Sequence, residues 1–165
     1  MSINKNIHTI SILVANKPGV LVRCAQVFAR RGFNIDSLVV SPSINPKYSR
    51  MTVTAQGDLE TLEQIIKQSS KLVDVIHCGE HKGEDAIHRE LALVKLKINS
   101  KAKAVLLKLI KSRAHIVEES KNAIIIGQYG TTDQLDALEV QLKKIGIIEY
   151  VRSGKLVMAK GSEAT

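Results

Sequence analysis

The sequence predicts an α+β protein of two tandem units, each of the plan βαββαβ, with two helices on one face of an antiparallel sheet. Three observations carry this. Hydrophobic spacing switches between period two and period 3.6 in the same order twice along the 165 residues. A polar segment, Gly79-Glu80-His81-Lys82-Gly83-Glu84-Asp85, interrupts that rhythm midway. Between the two middle strands of the first half, Ser41-Pro42-Ser43-Ile44-Asn45-Pro46 places two prolines where a ladder must break into a hairpin loop. Two ferredoxin-like units are the simplest account.

Taken in order, residues 7–15 read as a strand, 18–31 as a helix, 33–42 and 48–57 as strands, 59–70 as a helix and 71–78 as a strand. The first helix places Val20, Leu21, Cys24, Ala25 and Phe28 on one face, and the second does so with Leu62, Ile65, Ile66 and Ser69. Residues 1–79 form the first domain, 80–88 the linker and 89–165 the second domain. In the latter, 89–98 alternate as a strand, and 101–113 form a helix with Ala102, Val105, Leu106, Leu109 and Ile110 inward. Residues 114–119 and 122–128 make a hairpin around Ser120-Lys121-Asn122. A helix follows over 131–144 with Leu135, Leu138 and Leu142, then an extended element over 146–159 broken near Ser153-Gly154. Units of about 80 residues bury modest cores and gain from pairing, so a dimer is expected.

Composition excludes several classes of function. Hydrophobic residues make up 44%, enough for a packed globule rather than a disordered chain. No run approaches the roughly 18 apolar residues of a membrane helix, and the first residues lead straight into a strand without a secretory apolar region. Cytoplasm is the expected compartment, or plastid stroma for a plastid-encoded product. Cys24 and Cys78 form neither a CxxC pair nor a disulfide framework. The formal net charge of +8 raises the question of nucleic acid. Its densest run, Lys95 to Arg113, reads as a solvated or protein-docking face. Arg31-Gly32-Phe33 resembles the opening of an RNA-binding RNP1 motif but precedes the second strand, and five aromatics in the whole chain supply no stacking platform.

The functional signal lies between Val14 and Ile35. A strand ends in Ala15-Asn16-Lys17-Pro18-Gly19-Val20, a helix follows, and Gly32-Phe33-Asn34-Ile35 opens the next strand. Pro18 suits a first helical turn, Gly19 lets a ligand approach the backbone, and free amides there suit a carboxylate. This is a small-ligand site more than a catalytic one, since no GxGxxG, Walker, HExxH or GxSxG pattern occurs in its required context.

Together His8-Thr9-Ile10-Ser11-Ile12-Leu13-Val14, Pro18-Gly19-Val20-Leu21, Phe28 to Leu38, Ser49-Arg50-Met51-Thr52, Leu62-Glu63-Gln64-Ile65 and Lys71-Leu72-Val73-Asp74-Val75 resemble the small regulatory subunit of acetolactate synthase (acetohydroxyacid synthase), whose first half is an ACT domain. The likeness continues through Arg89-Glu90-Leu91-Ala92-Leu93-Val94-Lys95 and Ala137-Leu138 to Arg152-Ser153-Gly154. It implies a non-catalytic chain that binds and activates a large catalytic subunit and confers feedback inhibition by valine in branched-chain amino acid synthesis. Thiamine diphosphate, Mg2+ and FAD would belong to that partner, and this chain would hold no cofactor. The resemblance further implies a homodimer through ACT domains, in which the loop of one copy faces the first helix and second strand of the other. Valine would then meet Asn16, Gly19 and Val20 of one copy and Asn34 and Ile35 of its neighbour. Lys17 stands where many relatives carry an acid.

Each residue also has a plainer role: Asn34 as a turn former after Gly32, Asn16 as a helix cap, Gly19 as a turn residue, Arg50 as an edge charge. His77, Cys78, His81 and His88 cluster near the linker, but their spacing is not that of a metal site. His8 and His115 read as strand residues with no partner evident. Two other functions fit the fold class: a ferredoxin-like RNA-binding protein and a free-standing ACT amino-acid sensor.

Overall fold

The computed structural model describes residues 7–82, 84–98, 114–162 and 165. They fold into two antiparallel sheets with three helices, the α+β arrangement that the periodicities predict. Two compact units result, one formed by Met1–His88 with Gly154–Thr165 and the other by Arg89–Ser153. The expected helix over 101–113 lies outside the described residues. Among the described residues no helix is long and apolar enough to cross a membrane.

In the first unit the elements are β1 (Ile7–Ala15), α1 (Val20–Arg30), β2 (Ile35–Pro42), β3 (Tyr48–Gln56), α2 (Leu59–Ser69) and β4 (Val75–Glu80). The strand order is β2-β3-β1-β4. Register sets the core: Ile10 stands opposite Val53, and Ile12 lies between Met51 and Cys78. Alternation then aims Ile10, Ile12, Val14, Met51 and Val53 at the helices, and all are at most 2% exposed. Helix α1 seals them with Val20, Cys24, Val27 and Phe28. Its stripe is rotated from the one expected, since Leu21 is left 41% exposed while Val27 is buried. Helix α2 contributes Leu62, Ile65 and Ser69, and begins at Asp58, whose side chain accepts from the Thr61 amide at 2.8 Å.

The opposite face of this sheet is also covered. Thr9, Ser11, Thr52 and Thr54 alternate with the core residues and are nonetheless buried. Ser37 bonds Thr54 hydroxyl to hydroxyl, and Ser11 Oγ lies 2.7 Å from His81 Nε2. Gly154, returning late in the chain, lies against this face: a Cβ there would stand 2.7 Å from Val39 Cγ2 and 3.1 Å from Ser37 Oγ. His8 is not partnerless. Its Nε2 donates to the Gly57 carbonyl, and its Nδ1 lies 2.7 Å from the Glu80 carboxylate.

The remaining elements are β5 (Ala86–Lys97), β6 (Ala114–Glu119), β7 (Ala123–Gly130), α3 (Thr132–Lys143), β8 (Ile147–Arg152) and β9 (Leu156–Ala159). The order is β6-β7-β5-β8, with β9 also paired to β5. Val94 sits between Ile126 and Tyr150. Ala92, Val94, Leu96, Ile124 and Ile126 pack against Leu135, Leu138 and Leu142 of α3, the three leucines that helical spacing selects. Thr131 starts α3 with a capping box, its hydroxyl accepting from the Gln134 amide while the Gln134 side chain accepts from the Thr131 amide.

A buried ion network fixes α3 to the sheet. Glu90, 6% exposed, accepts from Arg152 Nε and from the Thr132 hydroxyl. Arg152 also donates to Asp136 and to the Thr132 carbonyl. These partners hold the Arg152 guanidinium well above its ordinary pKa against the opposing effect of burial.

Candidate functional site

The loop after β1 is held by three backbone carbonyls on two neighbouring segments. The Ala15 amide donates to the Asp74 carbonyl at 2.8 Å and the Asn16 amide to the Lys47 carbonyl at 2.8 Å. Asn16 Nδ2 reaches the Pro46 carbonyl at 3.0 Å. The Asn16 side chain therefore ties this loop to the β2–β3 hairpin rather than capping the helix.

Gly19 holds the cap position instead. Its φ of 84° and ψ of −12° place it in the left-handed region, where a Cβ is costly. The helix consequently starts at Val20, two residues later than the sequence predicts, with Pro18 in the preceding turn. No side chain caps α1, and its first turn holds no acid. The Val20 amide reaches only the Lys17 carbonyl at 3.4 Å, and the Leu21 and Val22 amides have no backbone acceptor among the described residues. Open amides at an uncapped helix start carry partial positive charge, which suits a carboxylate.

Arg23, which the sequence does not single out, also borders this loop. It lies one turn after Gly19, and its Nη1 would be 3.2 Å from a Gly19 Cβ. Its Nη2 donates to Asp74 Oδ2 at 2.5 Å. The one-turn spacing from Gly19 was available as a signal, but its partner lies 51 residues away.

Within one chain the structure does not unite the two halves of the expected site. Ala15, at the loop, stands opposite Tyr48, whereas Ile35 stands opposite Ala55. Seven residues along β3 separate those levels, roughly 24 Å at strand rise. Asn34 is exposed, donating to the Asp36 carboxylate at 3.2 Å, and Ile35 packs at the core margin. Val20 is buried, so it offers backbone rather than side chain.

The histidine group near the expected linker is divided by strand alternation. Cys78 faces the helices while His77 and His81 face away. Burial, then the Arg50 charge, then His77 hold the His81 imidazole below its ordinary pKa. Burial, chiefly, pushes the Cys78 thiol up to about 12. Among the described residues no three His, Cys, Asp or Glu side chains converge as metal ligands. Phe28 and Phe33 lie in the first core and present no surface for stacking bases.

Comparison with known proteins finds two matched segments along the chain. Residues 10–77 match the family described as AHAS small subunit-like ACT domain. Residues 89–161 match that described as small subunit of acetolactate synthase. A protein of Archaeoglobus fulgidus named "Probable acetolactate synthase small subunit" is 40% identical over 157 residues, covering 94% of this chain and 98% of that one. The acetolactate synthase small subunit of Mycolicibacterium smegmatis is 38% identical over 155 residues, covering 93% and 91%. The crystal structure of the acetolactate synthase small subunit from Thermotoga maritima superposes with a TM-score of 0.85 at 34% identity, covering 95% of this chain and 99% of that one.

Proposed function

Because the chain belongs to the family of acetolactate synthase small subunits, we propose that it binds and activates a separate catalytic subunit and makes that subunit sensitive to valine. In this reading the carboligation of pyruvate, with its thiamine diphosphate, Mg2+ and FAD, belongs to the partner. The chain itself acts in the cytoplasm, or in plastid stroma, as the feedback sensor of branched-chain amino acid synthesis.

The observation that carries the effector reading is the uncapped start of α1 at Gly19. A bare Cα, open amides and no nearby acid in the first turn make a seat for a carboxylate. The Asn34 amide oxygen and neighbouring carbonyls supply acceptors for an ammonium. Because Asn34 and Gly19 sit at opposite ends of one sheet, a ligand touching both needs two copies. A homodimer through the first unit is therefore part of the proposal. Valine bridging such a seam favours one arrangement of the pair, and a coupling of about 1–3 kcal/mol suffices for feedback control.

Reconstitution tests it. Adding the purified chain to an acetolactate synthase catalytic subunit raises acetolactate formation and introduces inhibition by valine. No stimulation at saturating chain removes the assignment. Light scattering that finds only monomers with valine present removes the shared site.

A further inference from the structure

Arg23 is set differently from the other cations near the loop. Lys17 is exposed and forms no ion pair among the described residues, so its charge is free to wander. Arg23 is anchored. Its Nη2 is committed to Asp74 Oδ2, and Asp74 is itself held because its carbonyl accepts from the Ala15 amide at the end of β1. The Asp74 side chain is only 19% exposed, so the anchor sits in the body of the unit. The other arm of the fork, Nη1, has no acceptor among the described residues and lies over the bare face of Gly19, 3.2 Å from where a Cβ would be.

A guanidinium is planar and rigid, so fixing one nitrogen fixes the direction of the other. We propose that Arg23 is the effector's carboxylate receptor, presenting Nη1 across Gly19, and that Asp74 is its positioning residue. The inference rests on the effector reading above and names the side chain that recognises the charged end of the ligand. It also gives Gly19 a second role. A side chain there would not only strain a backbone at φ 84° but would fill the gap between the arginine and its ligand. A charge-assisted hydrogen bond to a carboxylate is about twice as strong as a neutral one, so this contact separates an amino acid from an analogue of the same shape whose carboxylate is replaced by a neutral amide.

The test is calorimetric, on the full-length chain, with valine and with valinamide, which keeps the isopropyl and ammonium groups but lacks the carboxylate. The wild-type chain prefers valine. Arg23→Gln weakens valine about tenfold or more, leaves valinamide nearly unchanged, and so collapses the preference. Arg23→Lys restores part of it. Asp74→Asn, which frees the arm without removing it, lowers the preference by a smaller factor. A merely structural arginine would weaken both ligands equally, and that outcome overturns the assignment, as does an Arg23→Gln chain that still discriminates like wild type. If the wild-type chain binds no valine, the effector reading itself fails and takes this inference with it. If wild type binds and Arg23→Gln is indistinguishable, only the role of Arg23 is lost. Arg23 is half exposed on a helix and glutamine is a good helix former, so the variant folds; thermal unfolding checks this.

Discussion

Replacing Arg152 by methionine tests whether the second unit depends on its buried ion network. The substitution keeps most of the side-chain volume but deletes the donors to Glu90, Asp136 and the Thr132 carbonyl. Asp136 is 57% exposed and simply rehydrates. Glu90 is not so placed: at 6% exposure it would keep the Thr132 hydroxyl alone as a partner for a charge shut away from water. Removing one member of a buried pair costs about 3–5 kcal/mol, and the partial exposure of Arg152, 21%, argues for the lower end, about 3 kcal/mol. The paired variant Glu90→Met with Arg152→Met removes the stranded charge and costs about 1 kcal/mol. Urea unfolding of the single and double variants, with exchange of the Val94 and Ile126 amides as a local readout, gives the coupling energy directly. A double variant as unstable as the sum of its singles would show that the network contributes nothing by pairing.

Three further outcomes follow from the same structure. In Gly57→Ala the new Cβ would clash with the Phe33 ring, so the buried ring must move, at a cost of about 1–3 kcal/mol in urea unfolding; an unchanged midpoint would mean the ring does not lie there. With its thiol near 12, Cys78 has a thiolate fraction of only about 10⁻⁵ at pH 7. Thiol reagents should therefore modify it only as fast as the fold opens, and rapid labelling of the native chain would contradict its burial. His81, held below its ordinary 6.5, stays neutral in the fold while the unfolded chain takes up the proton first. Its contribution to stability is complete above about pH 6.5 and is lost progressively as pH falls from there through the lower pKa of the folded state. Unfolding of His81→Gln should show a shallower loss than wild type over roughly pH 7 to 5, and parallel curves would refute the assignment.

Periodicity reveals which elements exist because it reports one face at a time. Leu135, Leu138 and Leu142 recur at helical spacing, and the structure buries all three. It misplaces α1 by a fraction of a turn, since Leu21 and Val27 are equally apolar and only packing against β1 and β3 decides between them. It is silent on the second face of the first sheet. Thr9, Ser11, Thr52 and Thr54 read as solvent-facing because they are polar, yet they are buried, with Thr54 bonded to the Ser37 hydroxyl and Ser11 to the His81 ring. Nor does any spacing rule foretell that residues 154–165 join the first unit, because that return depends on which strand β9 finds.

The site divides along the same line. Gly19 is legible as a place where a ligand can approach the backbone, because a glycine follows a proline just past the end of a strand, but its left-handed cap conformation is seen only in the structure. Arg23 is not legible, because its meaning comes from Asp74, which stands beside it only after α2 and β4 have folded. Glu90 and Arg152 repeat the point in the second unit, 62 residues apart in sequence and joined in space. In both cases a guanidinium meets carboxylates from other parts of the chain, Asp74 for Arg23 and Glu90 with Asp136 for Arg152, but their surroundings differ. Around Arg152 each described donor group is taken and the pair serves packing. Around Arg23 one arm of the fork is left without an acceptor among the described residues, over a residue that has no side chain. An ion pair whose cation is saturated stabilises a fold; one whose cation keeps a free, directed donor is poised to bind an anion.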